Sequence, residues 1–139
     1  MDFNETIKAG MKNELKVQVE EQYTAAHVGS GSLRVLATPS MIAFMERLAC
    51  DLLDQHLPEG FTSVGILVDV SHLAATPAGG YIRVECEVVE VDGRKVTFAV
   101  QAWDALEKIG EGRHQRAIID VKHFLGRVEN KRNKLGIAI

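Results

Sequence analysis

Met41-Ile42-Ala43-Phe44-Met45-Glu46-Arg47-Leu48-Ala49-Cys50 is the stretch that decides the fold. Read as a helix it is apolar on nearly every side, so it belongs in a core. A carboxylate there, Glu46, must find a partner or a task. Just upstream, Thr38 followed by Pro39 reads as a helix start: an N-cap hydroxyl, then a proline whose missing N–H costs nothing at the first helical position. Pro58 and Gly60 supply the stop, which predicts a helix from Thr38 to about His56.

Working outward, Leu15, Val17 and Val19 alternate with Lys16, Gln18 and Glu20, the period of a half-exposed strand. Between that strand and the helix, Thr24 to Ser32 is polar and rich in Gly and Ser and reads as a mobile loop or flap. After the helix, strand signals run over 64–73, 81–91, 94–104 and 109–121, with Asp92-Gly93 as a hairpin turn. One long apolar helix and a later antiparallel meander predict an α+β domain whose sheet wraps the helix. Residues 1–125 form that single domain and residues 126–139 a basic C-terminal tail, helical at first and then fraying. A sheet from so short a chain covers one side of the helix, so the other side is expected to meet a second subunit in a homodimer or higher homo-oligomer.

Composition narrows the function classes. At 139 residues, 46% hydrophobic and 25% charged, the chain is ordinary for one globular domain. No apolar run reaches the roughly 18 residues of a membrane span, so no membrane partner is expected. Met1 to Lys8 carries acids where a signal peptide carries basic residues, which makes the cytoplasm the expected location. Cys50 and Cys86 fit neither a disulfide framework nor a C-x-x-C metal pair. The net charge of −3 argues against nucleic acid as a partner, and no metal-ligand spacing such as H-E-x-x-H occurs.

Val64-Gly65-Ile66-Leu67-Val68-Asp69-Val70-Ser71-His72 reads as a buried strand ending in a histidine. With Glu46 and Thr38 that histidine makes a candidate active site. Burial would favour the neutral acid of Glu46 and a nearby cation its carboxylate, so its surroundings decide whether it acts as acid, base or nucleophile. The small residues after His72, Leu73 to Gly80, leave room beside the imidazole. Thr38 lies eight residues from Glu46, about 12 Å along a helix. Either substrate lies between the two or they come from different subunits. Gly65 could admit a thioester to a backbone N–H that serves as oxyanion donor, and Arg116, alternating with apolar residues, could point inward. The structural readings of the same residues are plain: an N-cap for Thr38, a strand-end histidine, a packing glycine and a surface ion pair for Arg116.

Three motifs carry a resemblance: Ala37-Thr38-Pro39-Ser40-Met41-Ile42-Ala43-Phe44-Met45-Glu46, then Gly65 with His72-Leu73-Ala74-Ala75-Thr76-Pro77-Ala78-Gly79, and Gly112-Arg113-His114-Gln115-Arg116-Ala117. In this order they resemble the fluoroacetyl-CoA thioesterase type of hotdog-fold protein, over roughly residues 15 to 125. The resemblance implies a dimerising hotdog fold and an acyl-CoA thioester hydrolase with its substrate near the subunit interface. It further implies hydrolysis by Thr38, Glu46 and His72, a thioester site lined by Gly65 and Arg116, and no cofactor beyond the CoA of the substrate. This chain departs from the fluoroacetyl-specific pattern before the helix, where Val28 to Val35 contains no phenylalanine in place of an aromatic-rich lid. Two other readings stand beside it: an enoyl-CoA hydratase using Asp51 and His56, five positions apart, and a non-catalytic acyl-CoA binding or sensing dimer. In the basic tail, Arg127, Lys131 and Arg132 are candidate contacts for CoA phosphates.

Overall fold

The computed structural model describes residues 3–138. In chain order its elements are β1 (Lys12–Gln18), a 3-10 turn (Glu21–Tyr23), α1 (Ala25–Val28), α2 (Thr38–His56), β2 (Phe61–His72), β3 (Tyr81–Asp92), β4 (Lys95–Asp104), β5 (Lys108–Asp120) and α3 (Val121–Leu135). The strands form one antiparallel sheet in the order β1-β3-β4-β5-β2. The expected α+β arrangement, a sheet curled around one long helix, is what forms: the hotdog architecture.

The predicted helix matches α2 from end to end. Met41, Met45, Leu48, Ala49, Leu52 and Leu53 recur at helical spacing and are buried, each large one stabilising the fold by about 1.5–3 kcal/mol. Opposite them lie the alternate residues of β3 (Ile82, Val84, Cys86, Val88) and β4 (Val96, Phe98, Val100, Ala102). Ala43 and Arg47, on the other side of α2, remain exposed. The sheet thus covers one side of the helix and leaves the other open. The N-terminal segment adds Phe3 and Ile7 to the core, Phe3 meeting Phe61 edge-on at 5.5 Å.

Three expectations are corrected. Thr38 is not the N-cap of α2; Ala37 occupies that position without any side-chain cap, and Thr38 is the first helical residue. Its hydroxyl is taken by His72 instead, and Pro39, lacking an N–H, already leaves one fewer orphan donor in the first turn. The stretch read as a mobile loop is built: Thr24 caps α1 by accepting from His27 N, Gly29 ends it at φ 90°, and bridges join Thr24 to Leu36 and Val35 to Pro77. The C-terminal tail is a 15-residue helix that crosses the expected boundary at 125/126. It is capped by the Asp120 carboxylate on His123 N and by Gly136 at φ 71°, and none of its residues is buried. Between β3 and β4, Gly93 turns the chain at φ 62°, the positive angle a two-residue hairpin requires. Among the described residues no helix is long and apolar enough to cross a membrane.

Candidate active site

The site is organised by β2, an edge strand of the sheet. Gly65 and His72 are seven residues apart, a spacing that in a regular strand puts two side chains on opposite faces. A β-bulge changes this. Gly65 pairs with Arg116 and Leu67 with Gln115, so Ile66 falls out of register. Beyond the bulge, Val68 pairs with His114, Val70 with Gly112 and His72 with Gly110. His114 and Arg116 are buried, and a Cβ placed at Gly110 would strike Met41 of α2, so this row of β5 faces the helix. Because paired residues share a face, Gly65 and His72 both look toward α2.

At the His72 end, the start of α2 meets the end of β2. Thr38 Oγ1 lies 2.7 Å from His72 Nδ1. The other ring nitrogen, Nε2, is buried and makes no hydrogen bond to any described residue. Burial pushes His72 below the ordinary histidine value, opposed by the Ala74 backbone. Burial therefore favours the neutral imidazole. A depression of about 380 Å³ opens beside it, lined by Ala25, Val35, Leu36, Thr38, His72 and Ala74 among others.

At the Gly65 end sits Glu46, its side chain 42% exposed rather than enclosed. Arg116, only 8% exposed, brings Nη1 to 4.0 Å from Glu46 Oε2. The guanidinium is anchored from behind: Nε donates to Ser63 Oγ at 2.8 Å, Nη2 to the Ser63 carbonyl at 3.1 Å, and Nη1 lies 3.2 Å from His114 Nε2. Arg116 points inward, as its alternation with apolar neighbours predicts. A Cβ at Gly65 would lie 3.1 Å from Glu46 Oε2, 3.3 Å from His114 Cε1 and 3.4 Å from Arg116 Nη1. A side chain there would press on the carboxylate, the imidazole and the guanidinium together, so the glycine lets the backbone approach all three without displacing them. His114, buried beside Arg116, is the residue of this cluster that sequence reading did not single out, although its spacing of two from Arg116 places both on one face of a strand.

The five predicted residues thus form two groups in one protomer, Thr38 with His72 and Glu46 with Gly65 and Arg116. The second group lines its own shallow depression of about 310 Å³ with Ala43, Arg47 and Cys50. Thr38 and Glu46 are eight residues apart on α2, about 12 Å along its axis. Other candidates are engaged elsewhere. Asp51 pairs with Arg47 at 3.4 Å, and His56 Nδ1 donates to the Leu52 carbonyl at 2.9 Å, so the hydratase-like spacing does not produce a dyad. Burial raises both thiols, Cys86 to about 12, and leaves neither as a nucleophile at neutral pH. In α3, Arg132 pairs with Glu129 and Arg127 lies over Phe124.

Known proteins are similar to this chain in sequence and fold. The profile of the fluoroacetyl-CoA-specific thioesterase family, FlK, matches residues 19–122. A fluoroacetyl-CoA thioesterase from Streptantibioticus cattleyicolor is 36% identical over 97 residues, 70% of either chain. The solved structure of the fluoroacetyl-CoA thioesterase FlK superposes with a TM-score of 0.83 at 30% identity, covering 90% of this chain and 97% of that one. A hot-dog-like protein from Thermanaerovibrio acidaminovorans superposes with a TM-score of 0.88 at 27% identity, covering 94% and 97%. With three-quarters of its length inside the family profile and its fold shared over 90% of the chain, this chain belongs to the fluoroacetyl-CoA-specific thioesterase family.

Proposed function

We propose that this protein hydrolyses small acyl-CoA thioesters to the free acid and CoA, in active sites shared between the two subunits of a homodimer. The observation that carries the proposal is a histidine bound to Thr38 and an arginine-facing carboxylate, both on the α2 side of β2. Within a protomer the two groups line separate depressions, and Thr38 and Glu46 are about 12 Å apart along α2, which favours a site completed by a second copy. A second copy docked antiparallel along the open edge of β2 would bring the His72 end of one strand to the Gly65 end of the other. That edge carries Ile66 and Val68, 51% and 43% exposed, the kind of apolar edge that natural proteins cover.

In the assembled site Glu46 either attacks the thioester carbonyl carbon or takes a proton from the water that does. Backbone N–H groups at the Gly65 bulge receive the developing oxyanion. His72 Nε2 exchanges the proton that accompanies departure of the CoA thiolate, while Thr38 fixes the ring through Nδ1. Water supplies the oxygen and the proton, so the products are a carboxylic acid and a thiol. The depression beside His72 is lined by small and aliphatic side chains such as Ala25, Val35 and Ala74 together with Ser30 and Thr38, which suits a short acyl group. Val28 and Leu33, in the segment without aromatic residues, are exposed. A dry aromatic wall against a fluoroacetyl group is therefore not part of this proposal.

The test is release of free thiol across a panel of acyl-CoAs from acetyl to aryl, with crotonyl-CoA hydration measured in parallel. Glu46→Gln and His72→Ala should each lower kcat by about 10²–10⁴ while leaving the dimer folded. Saturable binding without thiol release would point to the sensing dimer instead, and wild-type rates in either variant would remove that residue from the mechanism.

A further inference from the structure

We propose that His114 is a positioning residue of this site: the lone pair on its Nε2 holds the Arg116 guanidinium facing Glu46 without letting it close on the carboxylate. The kinetic part of the proposal rests on the thioesterase reading; the structural part does not. His114 is 1% exposed, and both of its ring nitrogens have partners that settle its protons. The Leu67 carbonyl, 2.8 Å from Nδ1, only accepts, so Nδ1 carries a hydrogen. Arg116 Nη1, 3.2 Å from Nε2, only donates, so Nε2 presents its lone pair. A second ring proton would set two cations against each other in a buried site.

The surroundings agree with that state. The groups facing the ring are the Leu67 carbonyl on β2, Arg116 on β5, Glu46 on α2 and the Phe98 ring on β4, stacked at 6.3 Å. Burial pushes the imidazole down, the Leu67 carbonyl pulls it up, Arg116 pushes it down again and Glu46 pulls it up, and the balance is a lowered value. The consequence lies in what holds Arg116. Its three contacts at hydrogen-bond distance go to Ser63 and His114, whereas Glu46 stands off at 4.0 Å. An arginine free to choose would close on a carboxylate to about 2.8 Å, often with two parallel bonds. Such a clamp would occupy the oxygens that Glu46 needs for the reaction. His114 draws Nη1 back, so the charge is near while the carboxylate stays available.

Two substitutions separate the role from mere packing. His114→Leu keeps bulk and removes both polar contacts, whereas His114→Gln keeps one donor and one acceptor. For an acetyl-CoA or propionyl-CoA substrate, Leu should lower kcat about tenfold with KM within about twofold, and Gln should stay within about threefold of wild type. In an Arg116→Met background the Leu substitution should cost less than about twofold, because its effect travels through the arginine. A Leu variant with wild-type kcat, a Gln variant no better than Leu, or an undiminished loss in the Arg116→Met background would each overturn the proposal. Imidazole 15N spectra of the wild-type protein at pH 7 should show His114 protonated at Nδ1 and bare at Nε2. An Nε2–H tautomer or a doubly protonated ring would overturn it even if the Leu variant failed to fold. A wild-type protein that releases no thiol would defeat the thioesterase reading while the spectra still decided the geometry.

Discussion

The shared site is best tested by restoring activity from two dead parts. Glu46→Gln and His72→Ala should each be inactive as homodimers, because each breaks both sites. In a heterodimer of the two, one site takes Glu46 from the His72→Ala copy and His72 from the Glu46→Gln copy, and so is intact. The other site is doubly broken. Coexpression with two affinity tags isolates the heterodimer, which should then show about half the wild-type specific activity per dimer. The background is low, since each parent variant should retain no more than about one part in 10² of wild-type kcat. The magnitude follows from the geometry: Thr38, which holds His72, is about 12 Å along α2 from Glu46, and the two groups line separate depressions. If substrate instead bridged both groups within one protomer, each copy in the heterodimer would be defective and thiol release would stay at the level of the parents. That result would refute the shared site.

Gly65→Ala should lower kcat by roughly 10–100-fold with little change in thermal midpoint, because the added methyl meets Glu46, His114 and Arg116 at 3.1–3.4 Å while the backbone angle itself is ordinary. His72 and His114 both have values below the ordinary 6.5, so the stability they support is fully present above that pH and is lost as pH falls from 6.5 through their lowered values. Chemical denaturation between pH 7.5 and 5 should show the loss, and His114→Gln should flatten it. Truncation after Phe124 should cost no more than about 1 kcal/mol, since α3 buries no residue. If Arg127 and Lys131 reach the CoA phosphates, the same truncation should raise KM for acyl-CoA and leave that for the matching acyl-pantetheine unchanged; equal shifts for both would remove the tail from substrate binding.

The fold was legible because its strongest signals are periodic. The run from Met41 to Cys50 can bury itself only inside a sheet, and Pro39, Pro58 and Gly60 bracket it, so α2 falls where the residues predict. The ends of β2 to β5 fall within three residues of those expected, the largest difference being the start of β2 at Phe61, where the ladder with β5 runs on to Asp120. What sequence could not supply is pairing. Thr38 looks like a cap because Thr-Pro is a helix-start signal, yet the stronger claim on its hydroxyl comes from His72, 34 positions away. The bulge at Ile66 is invisible to strict alternation, which assigns Gly65 and His72 to opposite faces and so hides that they share one. His114 carries a periodic signal, but its two partners, the Leu67 carbonyl on the neighbouring strand and the Arg116 guanidinium that Ser63 anchors, are revealed only by register.

In the proposed homodimer the bulge also fixes where the twofold axis between subunits would pass. Opposed residues in an antiparallel pair share a face, so beyond the bulge the axis must pass through a residue of β2. An axis at Asp69 opposes Val68 with the partner's Val70 and carries His72 to the partner's Gly65, the extra residue at the bulge bringing both onto the α2 side. An axis at Val68 would carry His72 toward the partner's Ser63 and Val64 and miss the glycine. The charges tolerate the Asp69 axis, because each Asp69 has Arg113 as its cross-strand neighbour on β5, giving a row in which two carboxylates are flanked by two guanidiniums. Across an axis the two copies of one residue stand about 4.5–5.5 Å apart at Cα, within the roughly 4.4–6.8 Å that a disulfide spans. One residue off the axis the copies are displaced by two further strand steps, to about 8 Å, too far to bridge. In a Cys50→Ser background, Asp69→Cys should therefore form a covalent dimer under mild oxidation that migrates at twice the chain mass, and Val68→Cys should not. The reverse outcome would move the axis by one residue and take His72 away from the glycine that the shared site needs.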